Sequence, residues 1–241
     1  FQTDYIDLYQ LHNVKTKEDV EKVFAPHGAL KALIKAKEAG QIGHIGITSH
    51  NAEIALQCLK KFPFATVQFP RNFVEDQAEK ELFPFARANN IGIIVMKPLA
   101  GGALQKSNLA LRYLLGLDFS VIIPGMDSVE QVMNNTDLMQ NYLTLVEDEL
   151  EQIKAEKEKL GHEFCRRCEY CKPCPQGIDI PGCFLFLGYY ERYNLQDWAQ
   201  NRYNTLPVKA SACIECGTCE ERCPYDLPIR KMLKRVQESL E

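Results

Sequence analysis

Eight of the ten cysteines fall in two runs, Cys165-Cys168-Cys171-Cys174-Pro175 and Cys213-Cys216-Cys219-Cys223-Pro224. The second run has C-x2-C-x2-C-x3-C-P spacing, in which three thiolates wrap one [4Fe-4S] cluster and the fourth reaches to a neighbouring cluster. The first run differs only in having two residues before its last cysteine. Cysteines two apart in a tight loop turn their sulfurs toward one centre, and a soft thiolate cage suits iron better than oxygen ligands do. The proline after each fourth cysteine has no N–H to continue the loop. Zinc favours two CxxC pairs and fits runs of four awkwardly. Disulfides need a secreted chain, and the lone CxxxCxxC of a radical-generating cluster is absent. Two [4Fe-4S] clusters are therefore expected. The crossed pattern assigns Cys165, Cys168, Cys171 and Cys223 to one, and Cys213, Cys216, Cys219 and Cys174 to the other.

The chain has 241 residues, enough for one large domain or two smaller ones. A net charge of -4, with 25% charged residues, marks neither a nucleic-acid binder nor a disordered tail. No apolar run has the length of a membrane span, and no signal peptide is visible. Cysteines in ligand spacing point to a reducing cytoplasm. Cys58 and Cys183, outside the runs, read as small buried apolar residues.

Before the cysteines, short apolar stretches alternate with helical ones. The strands are Tyr5 to Leu11, His44 to Thr48, Ala65 to Phe69, Ile91 to Met96 and Val121 to Ile123. The helices are Glu18 to Phe24, Ala29 to Ala39, Ala52 to Phe62, Gln77 to Asn89, Asn108 to Leu117 and Ser128 to Asn135, with Gly40 and Asn51 as caps. Five such units, each strand apolar with little polar alternation, imply an α/β fold whose parallel sheet is covered on both faces. An open dinucleotide-binding sheet would carry a Gly-rich turn after its first strand, and there is no GxGxxG. Polar residues instead follow the strand ends, at His12, Thr48, Ser49, Gln68, Lys97 and Ser128, where a (β/α)8 barrel keeps its site. Five units of eight leave about ninety residues to be supplied before Phe1, so the sequence reads as a partial barrel. A continuous helix is expected from Leu138 to Leu160, as a solvated connector. Composition shifts after Gly161, which places the domains at 1–160 and 161–241. Between the cysteine runs, Tyr189, Tyr190, Tyr193, Trp198 and Tyr203 suggest a small, mainly helical module packing aromatics around the clusters and against the barrel. Leu227 to Leu240 reads as an amphipathic helix. Its Arg230, Lys231, Lys234 and Arg235 read as a solvated face, with docking of an acidic partner as the alternative.

Several motifs carry a family resemblance: Thr3-Asp4-Tyr5-Ile6-Asp7-Leu8-Tyr9-Gln10-Leu11-His12, Gly43-His44-Ile45-Gly46-Ile47, Val67-Gln68-Phe69, Met96-Lys97-Pro98-Leu99-Ala100-Gly101-Gly102 and Ile122-Ile123-Pro124-Gly125. In this order they resemble the fourth to eighth strands of the aldo-keto reductase barrel. With the cysteine tail, the chain resembles that family's iron-sulfur branch, whose tail is a dicluster ferredoxin-like domain. The resemblance implies NAD(P)H-dependent carbonyl chemistry with an Asp, Tyr, Lys and His tetrad. Only the His carries over, to His12, which would orient the carbonyl and support the proton-donating tyrosine. The other three belong to the part expected before Phe1.

For the nicotinamide pocket, the family's Ser-Asn pair becomes Thr48-Ser49, and its Gln is Gln68. Its stacking tyrosine is replaced by Met96, which is followed by Lys97 and Leu99. The Lys and Arg that hold the 2′-phosphate become Gly125 and Gln131, beside Ser128, and the adenine-side Asn is Asn135. Without those cations, neither NAD nor NADP is singled out. Each of these residues also has an ordinary place as a helix cap or strand end.

Nicotinamide passes two electrons as hydride and each cluster passes one, so direct traffic needs a mediator such as a flavin, for which no motif is visible. The leading expectation is an oxidoreductase of a small carbonyl substrate whose clusters serve a redox protein partner. The alternatives are an electron-transfer protein whose barrel is a scaffold, and a plain reductase whose clusters are structural staples. Neither nucleic acid nor membrane is expected as a partner.

Overall fold

The computed structural model describes residues 2–102, 104, 106–161, 163–167, 169–192, 195–223 and 225–241. The chain divides into two compact units, residues 1–101 with 106–146, and 102–105 with 147–241.

The first unit runs β1 (Ile6–Leu11), α1 (Lys17–Phe24), α2 (Ala29–Glu38), β2 (Ile42–Thr48), α3 (Ala52–Lys61), β3 (Thr66–Pro70), α4 (Leu82–Ala88), β4 (Gly92–Met96), α5 (Ser107–Leu115), β5 (Val121–Ile123) and α6 (Val129–Gln140). All five strands are parallel and pair in chain order. A doubly wound sheet reverses its order at a switch point, whereas a barrel lays each strand beside the last. Helix residues Val20, Leu30, Ile54, Leu59, Phe83 and Leu114 share one core with strand residues Leu11, Ile45, Ile47, Val67, Phe69, Ile93 and Val95. The winding is that of a barrel, and the five strands form part of one.

Local chemistry sets the element ends. Thr16 and Asp19 cap α1 reciprocally, and the Asn51 side chain accepts from Glu53 N and Ile54 N at the start of α3. Gly40, at φ 73, takes the left-handed turn between α2 and β2. Two helices differ from expectation. The stretch from Gln77 to Asn89 splits into a 3-10 turn, Gln77–Glu79, and α4, which begins two residues before Pro84, where a proline is tolerated. The continuous helix expected over Leu138 to Leu160 is broken. Asn141 closes α6 through its N–H to Asp137 O (2.8 Å), and the Arg112 guanidinium holds the Leu143 and Thr144 carbonyls at 2.8 and 3.0 Å. The acidic turn Glu147, Asp148, Glu149 then opens a new helix.

The two-sided cover expected of the sheet holds at its centre and weakens at its edges. Tyr9 of β1 is 45% exposed, as are Val121 (48%) and Ile123 (41%) of β5, because each edge strand has a neighbour on one side only.

The second unit is mainly helical: α7 (Glu147–Gly161), α8 (Ile180–Arg192), α9 (Gln196–Asn204), α10 (Thr218–Glu221) and α11 (Ile229–Leu240). Its core follows an internal repeat. Ile178, Ile180, Phe184 and Leu187 after the first cysteine run correspond in order and spacing to Leu227, Ile229, Leu233 and Val236 after the second, and all eight are buried. Tyr203 of α9 closes this core. Fully buried, it donates its O–H to Glu241 Oε1 (2.6 Å) and accepts the Ala210 N–H (2.7 Å).

The aromatics divide rather than all gathering in the core. Trp198 is 43% exposed and packs edge-on with Tyr189 and Phe186 at 5.0 and 6.4 Å. Tyr190 packs against the core, and Tyr193 lies outside the described residues. Three of the four cations on α11 have partners within the unit: Arg230 with Glu220, Lys231 with Glu163, and Arg235 with Glu163 and Glu191. Among the described residues, no helix is long and apolar enough to cross a membrane.

Candidate functional site

On each strand, side chains alternate between the helix-covered face and the opposite one. On that opposite face Gln10, Gly46 and Thr66 stand in register across three strands. A Cβ on Gly46 would run into Thr66 Oγ1 and Gln10 Cγ, so glycine is what lets β1 side chains reach β3. Gln10 Nε2 donates to Gln68 Oε1 at 2.9 Å, and Thr66 Oγ1 donates to Gln10 Oε1 at 3.4 Å. Gln68 Nε2 then lies 3.5 Å from Met96 Sδ. The structure thus joins the expected Gln68 and Met96 in a ladder of polar side chains.

His12 directly follows β1, two residues beyond Gln10, and is exposed with no hydrogen-bond partner among the described residues. Thr48 and Ser49 tie the neighbouring loop to β2. Thr48 Oγ1 accepts the Asn13 N–H at 2.6 Å, and Asn13 Oδ1 meets His50 Nδ1 at 3.2 Å. Ser49 is fully buried, and its hydroxyl donates to Val14 O at 2.5 Å. Thr48, used as an acceptor, keeps a proton to give, whereas the Ser49 proton is taken.

Beyond β3, a buried polar loop supports the strand ends. Asn72, fully buried, accepts the N–H groups of Val74 and Glu75 at 2.9 Å each and donates to Glu75 Oε2 (2.7 Å) and Lys97 O (3.1 Å). Arg71, 3% exposed, bonds Asn72 O, reaches Glu79 at 3.3 Å and stacks 5.4 Å from the Tyr113 ring centre. Lys97 takes φ 55 under that carbonyl bond, with Leu99 half-buried after it. The remaining expected residues gather at α6. Ser128 caps the helix by accepting the Gln131 N–H (3.2 Å), and Gln131 Oε1 accepts the Asp127 N–H (2.8 Å). Gly125 is exposed with open space where a Cβ would be, and Asn135 is half-buried.

In the second unit, the two cysteine runs share a backbone. Arg167 and Glu215 precede the second cysteine of their runs at φ 55, and Glu169 and Gly217 follow it at φ 69 and 80. Gly177 and Asp226, three residues past the last cysteines, take φ 75 and 50. Left-handed residues flanking one cysteine turn successive N–H groups to one side, which suits an anionic thiolate centre. Cys165, Cys171 and Cys223 line one pocket, with Ile180, Phe184 and Leu227 in its wall and about 320 Å³ of atom-free space, its open mouth included. Cys168, the fourth of that set, lies outside the described residues. Of the other set, Cys174, Cys213 and Cys219 belong to the same core, and Cys216 is exposed. The Thr218 hydroxyl, 3.5 Å from Cys216 Sγ, holds that thiol below its ordinary value, while burial pushes Cys219 up. Three soft donors around a roomy pocket, walled by Ile180, Phe184 and Leu227 with Arg166 and Glu169 beside them, fit an iron-sulfur cluster.

Residues 1–110 match the model of the aldo/keto reductase family, and residues 164–228 match that of the 4Fe-4S dicluster domain. The first part of the chain is an aldo/keto reductase domain, and the tail is a 4Fe-4S dicluster domain. L-galactose dehydrogenase of Arabidopsis thaliana is 26% identical over 66% of this chain and 58% of its own length. The aldo-keto reductase YhdN of Bacillus subtilis is 30% identical over 43% of this chain and 29% of its own. The chain thus spans less than two thirds of these relatives. The holo form of an aldo-keto reductase from Bacillus halodurans shares the fold, with a TM-score of 0.52 and 24% identity over 64% of this chain and 62% of that one.

Within the aldo/keto reductase domain, Gln10, Gly46, Thr66 and the Arg71 to Glu79 loop do not stand out in the sequence as site residues. Gln10 had a signal: it is polar in an apolar strand and two residues before His12, hence on the same face. The loop had a weaker one, a charged residue and an Asn directly after the apolar Phe69-Pro70.

Proposed function

We propose that the protein is an NAD(P)H-dependent oxidoreductase of a small carbonyl compound or the matching alcohol, with two [4Fe-4S] clusters in its tail that serve a redox protein partner. The reading is carried by the presence, on one chain, of an aldo/keto reductase domain and a pocket lined by Cys165, Cys171 and Cys223. A cytoplasmic setting goes with it, since ligand thiolates need reducing surroundings.

Bound nicotinamide supplies the hydride, and bound clusters supply one-electron exchange. The chain's own residues hold and orient. Gln10 fixes the Gln68 amide, so that Gln68 meets the carboxamide of the nicotinamide with a set geometry. Thr48 has a proton to donate to that carboxamide. His12, exposed at the end of β1, donates an imidazole N–H to the substrate oxygen and orients it. The Asn72 bond to Lys97 O holds the loop after β4 in place beside them. Full-length, iron-reconstituted protein is expected to enhance NAD(P)H fluorescence and to turn over members of an aldehyde panel. Absence of both overturns the reading.

A second reading, an electron-transfer protein whose barrel is a scaffold, draws on the Ser49 proton committed to Val14 O and on Gln68 Nε2 facing Met96 Sδ. Clusters reduced by dithionite and reoxidised by a partner, with no nicotinamide bound, would favour it.

A further inference from the structure

The two cysteine runs share their positive φ angles and the matching core residues behind them, and the Thr218 hydroxyl, 3.5 Å from Cys216 Sγ, is one local difference between the sets. The repeat breaks in the wall. Arg166 lines the pocket of Cys165, Cys171 and Cys223, and its guanidinium lies 4.0 Å from the ring centre of Tyr225, which lines the same pocket. At the corresponding places beside the other set stand Ile214, 62% exposed, and Gln176. Glu169 also lines the pocket, but its carboxylate is engaged by Lys172 at 3.2 Å. Arginine stays protonated, and stacking on a tyrosine face holds it in place. Beside Ile180, Phe184 and Leu227 its field is screened less than in water.

We propose that Arg166, held by Tyr225, makes the cluster of Cys165, Cys168, Cys171 and Cys223 easier to reduce than its neighbour, so that the first electron entering the tail settles there. This rests on the reading that the tail holds two clusters. In the test, dithionite supplies one electron per cluster. Each reduction adds one negative charge, and Arg166 favours that charge at its own pocket.

The experiment is an anaerobic redox titration, followed by electron paramagnetic resonance, of the iron-loaded full chain. Native protein is expected to show two separate one-electron waves. Arg166→Gln should lower the upper wave alone by about tenfold in the reduced-to-oxidised ratio, or about 59 mV. A unit charge roughly 10 Å away acts on that scale at an effective dielectric of about 20. Arg166→Lys, which keeps the charge, should stay within about threefold of native. The double variant Ile214→Arg, Gln176→Tyr should raise the lower wave. An Arg166→Gln protein that takes up full iron and shifts neither wave, or both equally, overturns the proposal. If that variant takes up no iron, the double variant decides, because Arg166 is intact there, and an unmoved lower wave overturns it. Native protein that binds only one cluster refutes the two-cluster reading instead, and iron content separates that outcome from the others.

Discussion

Replacing Tyr203 with Phe keeps the ring and removes one oxygen from the centre of the tail. That oxygen donates to the Glu241 carboxylate at 2.6 Å and accepts the N–H of Ala210, itself only 2% exposed. A hydrogen bond to a charged group contributes about 1.5–3 kcal/mol, and a buried N–H left unpaired costs about 1–3 kcal/mol. Taking the low end of each gives a loss of about 2.5 kcal/mol. For a unit near 100 residues this lowers the melting temperature by roughly 10–20 °C. The assay is built in, since the chain's one tryptophan, Trp198, lies on the same helix as Tyr203 and reports on this unit. Anaerobic melts of native, Tyr203→Phe, Glu241→Gln and the double variant, at one scan rate, should give a coupling above about 1 kcal/mol. Acid should erode it. Burial raises the Glu241 pKa, but hydrogen bonds from Ser211 and Tyr203 outweigh that and leave it lowered. The stabilisation is therefore present above the ordinary carboxylate value and is lost as pH falls through the depressed one. A melting shift under about 4 °C, or strict additivity of the two single variants, would refute the reasoning.

Gly46→Ala should destabilise the first unit by about 1–3 kcal/mol in urea titrations followed by circular dichroism, because the new methyl meets Thr66 and Gln10. Gly125→Ala, with open space around it, should stay within about 0.5 kcal/mol. Asn72→Ala should cost about 3 kcal/mol in the same assay and, on the proposed function, raise the KM for the nicotinamide cofactor, since Asn72 pairs Glu75 and holds Lys97 O. Burial, only partly offset by the Lys61 charge, pushes the Cys58 thiol up to about 11. Its contribution is whole below the unfolded value near 9 and is lost as pH rises toward 11. The stability gap between native protein and Cys58→Ala should therefore narrow by about 2 kcal/mol between pH 8 and 11, and a constant gap would show that burial does not raise the Cys58 thiol above its unfolded value.

The strands were legible because parallel strands buried by helices carry runs such as Ile45-Gly46-Ile47 and Ile93-Ile94-Val95, which propensity and burial favour together. The break after α6 was not, because it depends on Arg112, about thirty residues earlier, holding the Leu143 and Thr144 carbonyls. The Gln10 to Gln68 bond was hidden for a similar reason. It crosses an intervening strand, and only the register that places Gly46 between Gln10 and Thr66 makes it visible. Ser128 and Gln131 show the limit of reading single residues: the pattern that suggested a cofactor contact is also a helix cap, and the structure uses it as one.

The cysteine runs carry their shape through the same kind of non-local agreement. Arg167, Glu169, Glu215 and Asp226 all take positive φ, where a side chain costs about 1–2 kcal/mol each, and glycine relieves that strain at Gly177 and Gly217. Unlike residues adopting like angles at matching places means that local preference does not set the loops. Both runs instead pack on one shared core, with Cys171 and Cys219 buried in it beside Phe184 and Leu233. Differences between the two cysteine sets then fall at positions the core leaves open. In the described structure these include the shortened spacing before Cys174 and the exchange of Arg166 and Tyr225 for Ile214 and Gln176. The spacing alters a connection between ligands, whereas the exchange alters charge, and charge is what a one-electron centre senses.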